Sequence, residues 1–240
     1  MQQTLEEHLQ NQIEKSRDFF WHRLRWRAIA RQLPKNEAFS LLDVGAGAGL
    51  LADYLSAEFP RASYHFIEPL ESLTKHLSER YGARANGAKW PSYSGMRYLT
   101  LLDVLEHQED DHAFLRELVS KMDVGATLFI TVPALPLLWS SWDTALGHFR
   151  RYTRSTLAAV IRQQPVDVLA LNYLFPEMLP MGLVRRWKDD GQQEKDASYE
   201  FPDLPKVAND ALYALGRVSL ALSPLAPLGT SLFAAVRKRA

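Results

Sequence analysis

Asp43-Val44-Gly45-Ala46-Gly47-Ala48-Gly49 sets three glycines at alternate positions directly behind the apolar pair Leu41-Leu42. Glycine at such positions allows positive φ and lets a ligand approach the main chain closely. A dinucleotide fingerprint, G-x-G-x-x-G, would need glycine at position 50, where Leu50 stands. Just over twenty residues on, Ser63-Tyr64-His65-Phe66-Ile67 runs into Glu68 and Pro69. A nucleotide-binding fold keeps an acid there for the ribose, because two ionised oxygens accept from both hydroxyls at once.

Groups able to move a proton lie further along. Leu102-Asp103-Val104-Leu105-Glu106-His107 ends an apolar run with acids and a histidine. His107 has an unperturbed pKa near neutrality, which suits a proton acceptor, and so does His148 in Gly147-His148-Phe149-Arg150-Arg151-Tyr152. Which of the two is the base stays open. Pro133 and Pro136 argue against an uninterrupted helix and for a loop over a site. In that loop Trp139 and Trp142 would wall a pocket. Arg150 and Arg151 would hold an anionic acceptor, or else pair with loop acids such as Asp143. Asp103 reads as shaping the site. The sequence shows no second acid–histidine cluster beside it, so no metal is expected.

These residues need a frame. Strand patterns fall at Phe39–Val44, 63–68, 83–87, 96–103, 126–132, 166–171 and 230–237. Between them, helices carry apolar stripes such as Leu73 and Leu77, Leu115 and Val119, and Leu157 and Ile161. Alternating strand and helix units predict a doubly wound, mostly parallel sheet with helices on both faces. Residues 4–33 read as a helix stopped by Pro34. Its segment from Phe19 to Arg27 is aromatic and basic, suited to cap a bound carboxylate with Arg23 or Arg25.

The order from Asp43 to Gly49 resembles motif I of the class I S-adenosylmethionine-dependent methyltransferases. Asp103 to His107 is similar to that family's motif after strand four. Phe19-Phe20 with Arg23 and Arg25, Val132-Pro133-Ala134, Trp139-x-x-x-Asp143 and Gly-His-x-Arg-Arg-Tyr closely resemble a bacterial subgroup. The resemblance covers most of residues 17–165 and the final strand. It implies a Rossmann-like sheet of seven strands, the last antiparallel beside the sixth.

It further implies S-adenosylmethionine as cofactor, S-adenosylhomocysteine as product, and in-line displacement at the methyl group. Asp43, Gly45, Ala46, Gly47 and Gly49 would lie under methionine and ribose, with Glu68, Pro69, Asp103, Val104, Arg23 and Arg25 around them. An acid after the third strand commonly takes the adenine amino group in this family; here Asn86 stands as the substitute. The acceptor side would hold Trp139, Trp142, Asp143, Arg150, Arg151 and Tyr152, with His148 or His107 receiving a proton. A nicotinamide-dependent reductase is the alternative, opposed by Leu50. A non-catalytic S-adenosylmethionine-binding module is another, opposed by the intact set from Asp43 to Glu68.

Composition bounds the rest. Over 240 residues, Lys plus Arg and Asp plus Glu number 28 each, so no charge excess points to nucleic acid. With no cysteine, disulfides and a thiol nucleophile are excluded. The polar start and the absence of about 18 consecutive apolar residues predict a cytoplasmic protein. The expected organisation is a helical cap at 1–34, a core at 35–171 and 230–240, and a helical insertion at 172–229. The insertion would serve as a lid or dimer surface, or touch a membrane peripherally. The acceptor would be small or lipid-linked, and the protein a monomer or homodimer.

Overall fold

The computed structural model describes Leu9 and residues 18–88, 90–189 and 204–240. Most of the helix expected before residue 18 lies outside the described residues. The strands are β1 (Phe39–Val44), β2 (Ala62–Ile67), β3 (Tyr98–Leu102), β4 (Thr127–Pro133), β5 (Val166–Leu174) and β6 (Ser231–Lys238). The helices are α1 (Phe20–Ala30), α2 (Leu50–Glu58), α3 (Glu71–Tyr81), α4 (Asp111–Lys121), α5 (Ser141–Leu146), α6 (Arg154–Arg162), α7 (Leu179–Asp189) and α8 (Lys206–Ala221).

The strands form one sheet in the order β2-β1-β3-β4-β6-β5. β2, β1, β3 and β4 pair in parallel, and β6 enters antiparallel between β4 and β5. The antiparallel last strand agrees with expectation. Among the described residues there are six strands, not seven. The stretch expected as a third strand, 83–87, forms instead a 3-10 turn at Ala83–Ala85 and one isolated parallel bridge between Phe66 and Asn86. Its residues, Ala-Arg-Ala-Asn-Gly, include no β-branched or aromatic side chain to pack on a pleated face.

Alternation along the strands builds two cores. On one face Leu42, Leu128, Ile130, Val132 and Ala234 meet Leu115 and Val119 of α4 and Leu157 and Ile161 of α6. On the other, Phe39, Leu41, Phe129, Phe233 and Ala235 meet Leu24 and Ile29 of α1 and Leu51 and Leu55 of α2. An aromatic ladder crosses this second face: Phe39 to Tyr98 at 5.1 Å, Tyr98 to Phe129 at 5.9 Å, and Phe129 to Phe233 at 6.2 Å.

The strand order reverses between β1 and β3, and ligands bind at the carboxyl ends of strands at such a switch point. Helices α1 and α8 cover that end together. The Phe20 amide donates to Asn209 Oδ1 at 2.8 Å, and Asn209 Nδ2 donates to the Asp18 carbonyl at 2.9 Å. Asn209 thus caps α1 from the helix packed against it, satisfying a main-chain donor that a helix start leaves orphaned. Trp21 stacks on Phe175 at 3.9 Å, fastening α1 to the end of β5 as well.

Candidate active site

The carboxyl ends of β1, β2 and β3 open into a cavity of about 640 Å³, a size that suits a small-molecule ligand. Its floor is the turn Gly45–Ala48 with Asp43 beneath, flanked by Glu68, Pro69 and Leu70. The Gly45 amide donates to the Ile67 carbonyl at 2.7 Å, which pins the turn to β2. Gly45 has φ +75°, and a Cβ there would stand 2.4 Å from Val104 Cγ2. Both the backbone conformation and the space exclude a side chain. Gly49, also at φ 75°, starts α2 and does not itself line the cavity.

Glu68 ties this floor together. Gly47 N–H donates to its Oε2 at 2.8 Å and Leu70 N–H to its Oε1 at 2.9 Å, so each oxygen keeps one further acceptor position. Burial pushes the Glu68 carboxyl up, against the pull of the two amides. Asp43 accepts from Thr100 Oγ1 at 2.6 Å and from the Tyr64 hydroxyl at 3.1 Å. Its burial outweighs those bonds and raises its pKa to about 6.

Arg25 and Arg23 part company. Arg25 is buried, lines the cavity, and pairs with Asp103 Oδ2 at 2.7 Å. Arg23 turns to α8, lying 3.5 Å from Asp210 and 3.7 Å over the Tyr213 ring, outside the cavity lining. Asp103 sits at φ 55°, a left-handed conformation that Asp tolerates better than most residues, and also accepts from Thr131. Val104 lines the cavity beside it. Asn86 does not: its Oδ1 accepts from the Ala88 amide at 3.0 Å.

The loop after β4 closes the other side, and its residue types have specific structural work. Asp143, wholly buried at the first turn of α5, accepts from Ser140 N at 2.9 Å and from Arg151 Nε at 2.8 Å. The His148 Nδ1 lies 2.8 Å from the same carboxylate. Burial alone would raise the Asp143 carboxyl, but His148 and Arg151 hold it below the usual carboxylate range. Arg150 pairs with Asp111 at 2.8 Å and donates to the Glu109 carbonyl at 2.6 Å. The Tyr152 hydroxyl donates to Asp111 at 2.7 Å.

Thus Arg150, Tyr152 and Asp143 are braces, and none of them lines the cavity. Of the two arginines expected to hold an acceptor or else pair with loop acids, both pair with acids, and only Arg151 also reaches the cavity wall. Trp142 lines the cavity and Trp139 does not. Met178, Met181, Gly182 and Arg185, none of them singled out within the expected insertion, are brought to the same wall by α7 and the turn before it. The Arg185 guanidinium lies 4.3 Å over the Trp142 ring.

His107 and His148 both line the cavity, with ring centroids 4.7 Å apart and nearly perpendicular. Burial and the neighbouring His148 lower the pKa of His107 to about 4. That makes it a poor proton acceptor at neutral pH. Glu106, fully buried between them, is pushed well above the usual range by burial.

This geometry has relatives. A family model described as a methyltransferase domain matches residues 5–169, well over half of the chain. The chain belongs to that family. No protein of curated function matches it significantly. Among solved structures, a putative methyltransferase of Haloferax volcanii in complex with the activator Trm112 superposes with TM-score 0.59. It has 14% identity, over 95% of this chain and 93% of that one.

Phosphoethanolamine N-methyltransferase 2 of Haemonchus contortus, bound to phosphomonomethylethanolamine and S-adenosylhomocysteine, gives 0.56 at 15% identity. There the match covers 90% of this chain, which spans only 52% of that enzyme. The [4+2]-cyclase SpnF gives 0.55 at 15% identity, covering 91% of this chain and 81% of that one. At such identities the likeness is one of fold. The methyltransferase domain described here has that fold, and a cyclase has it too, so the chemistry must be argued from the site.

Proposed function

We propose that the protein transfers a methyl group from S-adenosylmethionine to a small acceptor. The observation that carries this reading is the charge and shape of the cavity floor. Asp43 and Glu68 line it beside a glycine turn that admits main-chain contact. Two acids repel a pyrophosphate and suit a cofactor carrying a sulfonium and an ammonium group, which favours this reading over a nicotinamide reductase. The spare acceptor positions of Glu68 suit ribose hydroxyls. Of the two arginines expected to meet the cofactor carboxylate, Arg25 lines the cavity and Arg23 does not, which supports Arg25 in that role. Asp103 and Val104 border the same space, whereas an adenine contact through Asn86 has no support from its position.

When bound, S-adenosylmethionine supplies an electrophilic methyl group on a sulfonium. The chain's part is orientation and exclusion of water, since the charge disperses in the transition state. Trp142, Leu146, Met178 and Met181 offer an apolar acceptor wall, with Arg151 and Arg185 as its cations. An acceptor with an apolar body and an anionic group fits that wall. His148, oriented by Asp143, is the better placed of the two histidines to receive a proton.

We read 1–34 as the cap, 35–171 with 230–240 as the core, and 172–229 as the lid. No helix among the described residues is long and apolar enough to cross a membrane. Turnover assays on extract-derived acceptors with labelled cofactor test the proposal. Cofactor binding without turnover on any acceptor would favour a binding module instead.

A further inference from the structure

The 3-10 turn Leu105–His107 and the loop after α5 bring the neighbours Glu106 and His107 together with His148, some forty residues further along the chain. One carboxylate oxygen of Glu106 and one ring nitrogen each of His107 and His148 all lie within 4.8 Å of one another. Glu106 is fully buried, and among the described residues neither of its side-chain oxygens has a hydrogen-bond partner. A buried carboxylate in that state is costly unless a cation or a proton meets it. The charged groups facing it do not solve this. Asp103 and Asp143 are acids, and the nearby Arg25 is already paired with Asp103 at 2.7 Å.

His148 is held as metal-binding imidazoles usually are, with its Nδ1 2.8 Å from the Asp143 carboxylate. Such outer partners fix the tautomer and aim the second nitrogen. We propose that Glu106, His107 and His148 form a site for a divalent first-row transition ion, of which Zn²⁺ is the type. Two imidazoles and one carboxylate exclude Mg²⁺ and Ca²⁺ as preferred occupants, since those ions favour all-oxygen sets. Ligand atoms on a tetrahedral ion stand about 3.4 Å apart, so side-chain rotations of about 1 Å close the set.

Three protein ligands leave a position open, and all three residues line the acceptor side of the cavity. An acceptor oxygen or nitrogen would take that position, a role that rests on the methyl-transfer reading. With the ion bound, both imidazoles are ligands, not bases.

The test uses the full chain, stripped with a chelator and titrated calorimetrically with Zn²⁺ alone, then with Co²⁺ followed by visible absorption. The expected result is one equivalent of Zn²⁺ and ligand-field bands for Co²⁺ of low coordination number. Glu106→Gln and His148→Ala should each weaken Zn²⁺ binding by about tenfold or more. Glu106→Gln is nearly isosteric and removes a buried charge, so its thermal stability should be retained. Absence of stoichiometric uptake, or Zn²⁺ binding by Glu106→Gln equal to that of the parent, overturns the site. S-adenosylmethionine affinity, measured separately, reports on the methyl-transfer reading and not on the metal.

Discussion

Replacing Asp143 with asparagine tests whether the loop over the cavity is braced as described. Its Oδ1 takes both His148 Nδ1 and Arg151 Nε at 2.8 Å, while Oδ2 takes the Ser140 amide at 2.9 Å. A carboxamide has one acceptor oxygen, so one of these sides must meet an NH₂ group. If the oxygen keeps His148 and Arg151, the buried Ser140 amide loses its partner at about 1–3 kcal/mol. The loss of charge from the bonds to the guanidinium costs a further 1.5–3 kcal/mol or so. The sum, about 2.5–6 kcal/mol, brackets the roughly 3–5 kcal/mol that breaking a buried pair costs, the range taken here. At roughly 2–4 °C per kcal/mol for a chain of this size, the melting temperature should fall by about 6–20 °C.

The deficit should depend on pH. Asp143 titrates below its unfolded value, so its stabilisation is present above the ordinary carboxylate pKa and is lost as pH falls through the lowered one. The variant and parent melting curves should therefore converge in acid. S-adenosylmethionine affinity should hold in the variant, because Asp143 does not line the cavity. Scanning calorimetry at several pH values reads all of this. A variant melting within about 2 °C of the parent at pH 7 would refute the brace.

Other substitutions probe the floor and the acceptor wall. Gly45→Ala forces a side chain into φ +75° at about 1–2 kcal/mol and drives Val104 from a contact of 2.4 Å. Cofactor affinity by calorimetry should fall about tenfold, and an unchanged value would remove the turn from the site. Protonation of Asp43 below about pH 6 removes a negative charge from the floor. Affinity for the cationic cofactor should decline between pH 7 and 5, and Asp43→Asn should flatten that profile. The stability effect of Asp43 has the opposite sign: its folded pKa is raised, so the penalty of burying its charge is relieved as pH falls from about 6 through the ordinary 3.8. Arg150→Ala should lower stability by about 1–2 kcal/mol with no change in acceptor KM. Arg185→Ala should raise acceptor KM with little change in melting temperature; equal effects of the two on KM would contradict the assignment.

The floor of the site was legible because its causes are local. Glycines at alternate positions and an acid at the end of the next strand require only strand, turn and helix in succession. Residues 83–87 misled because the alternation of strands and helices called for a strand after α3, which their small and polar side chains do not sustain. The two arginines of the acceptor loop resisted reading for a different reason. Asp111, the partner of Arg150, lies at the start of α4 some forty residues earlier, and only the folded chain selects it over a ligand. The same distance hides the Glu106, His107 and His148 cluster: two members are neighbours in sequence, and the third arrives through the Asp143 brace. Helix α7 added its part of the wall without any signal beyond apolar content, which a core helix shares.

The central claim is that the Asp43–Glu68 floor binds S-adenosylmethionine. Calorimetric titration of the full chain with S-adenosylmethionine, with NADH as comparator and Glu68→Gln as the variant, tests it most directly. The account predicts one S-adenosylmethionine site, no response to NADH, and an affinity about tenfold weaker or worse in Glu68→Gln, because that variant loses charge facing the ribose and the grip on Gly47. Tight NADH binding with no response to S-adenosylmethionine would contradict it.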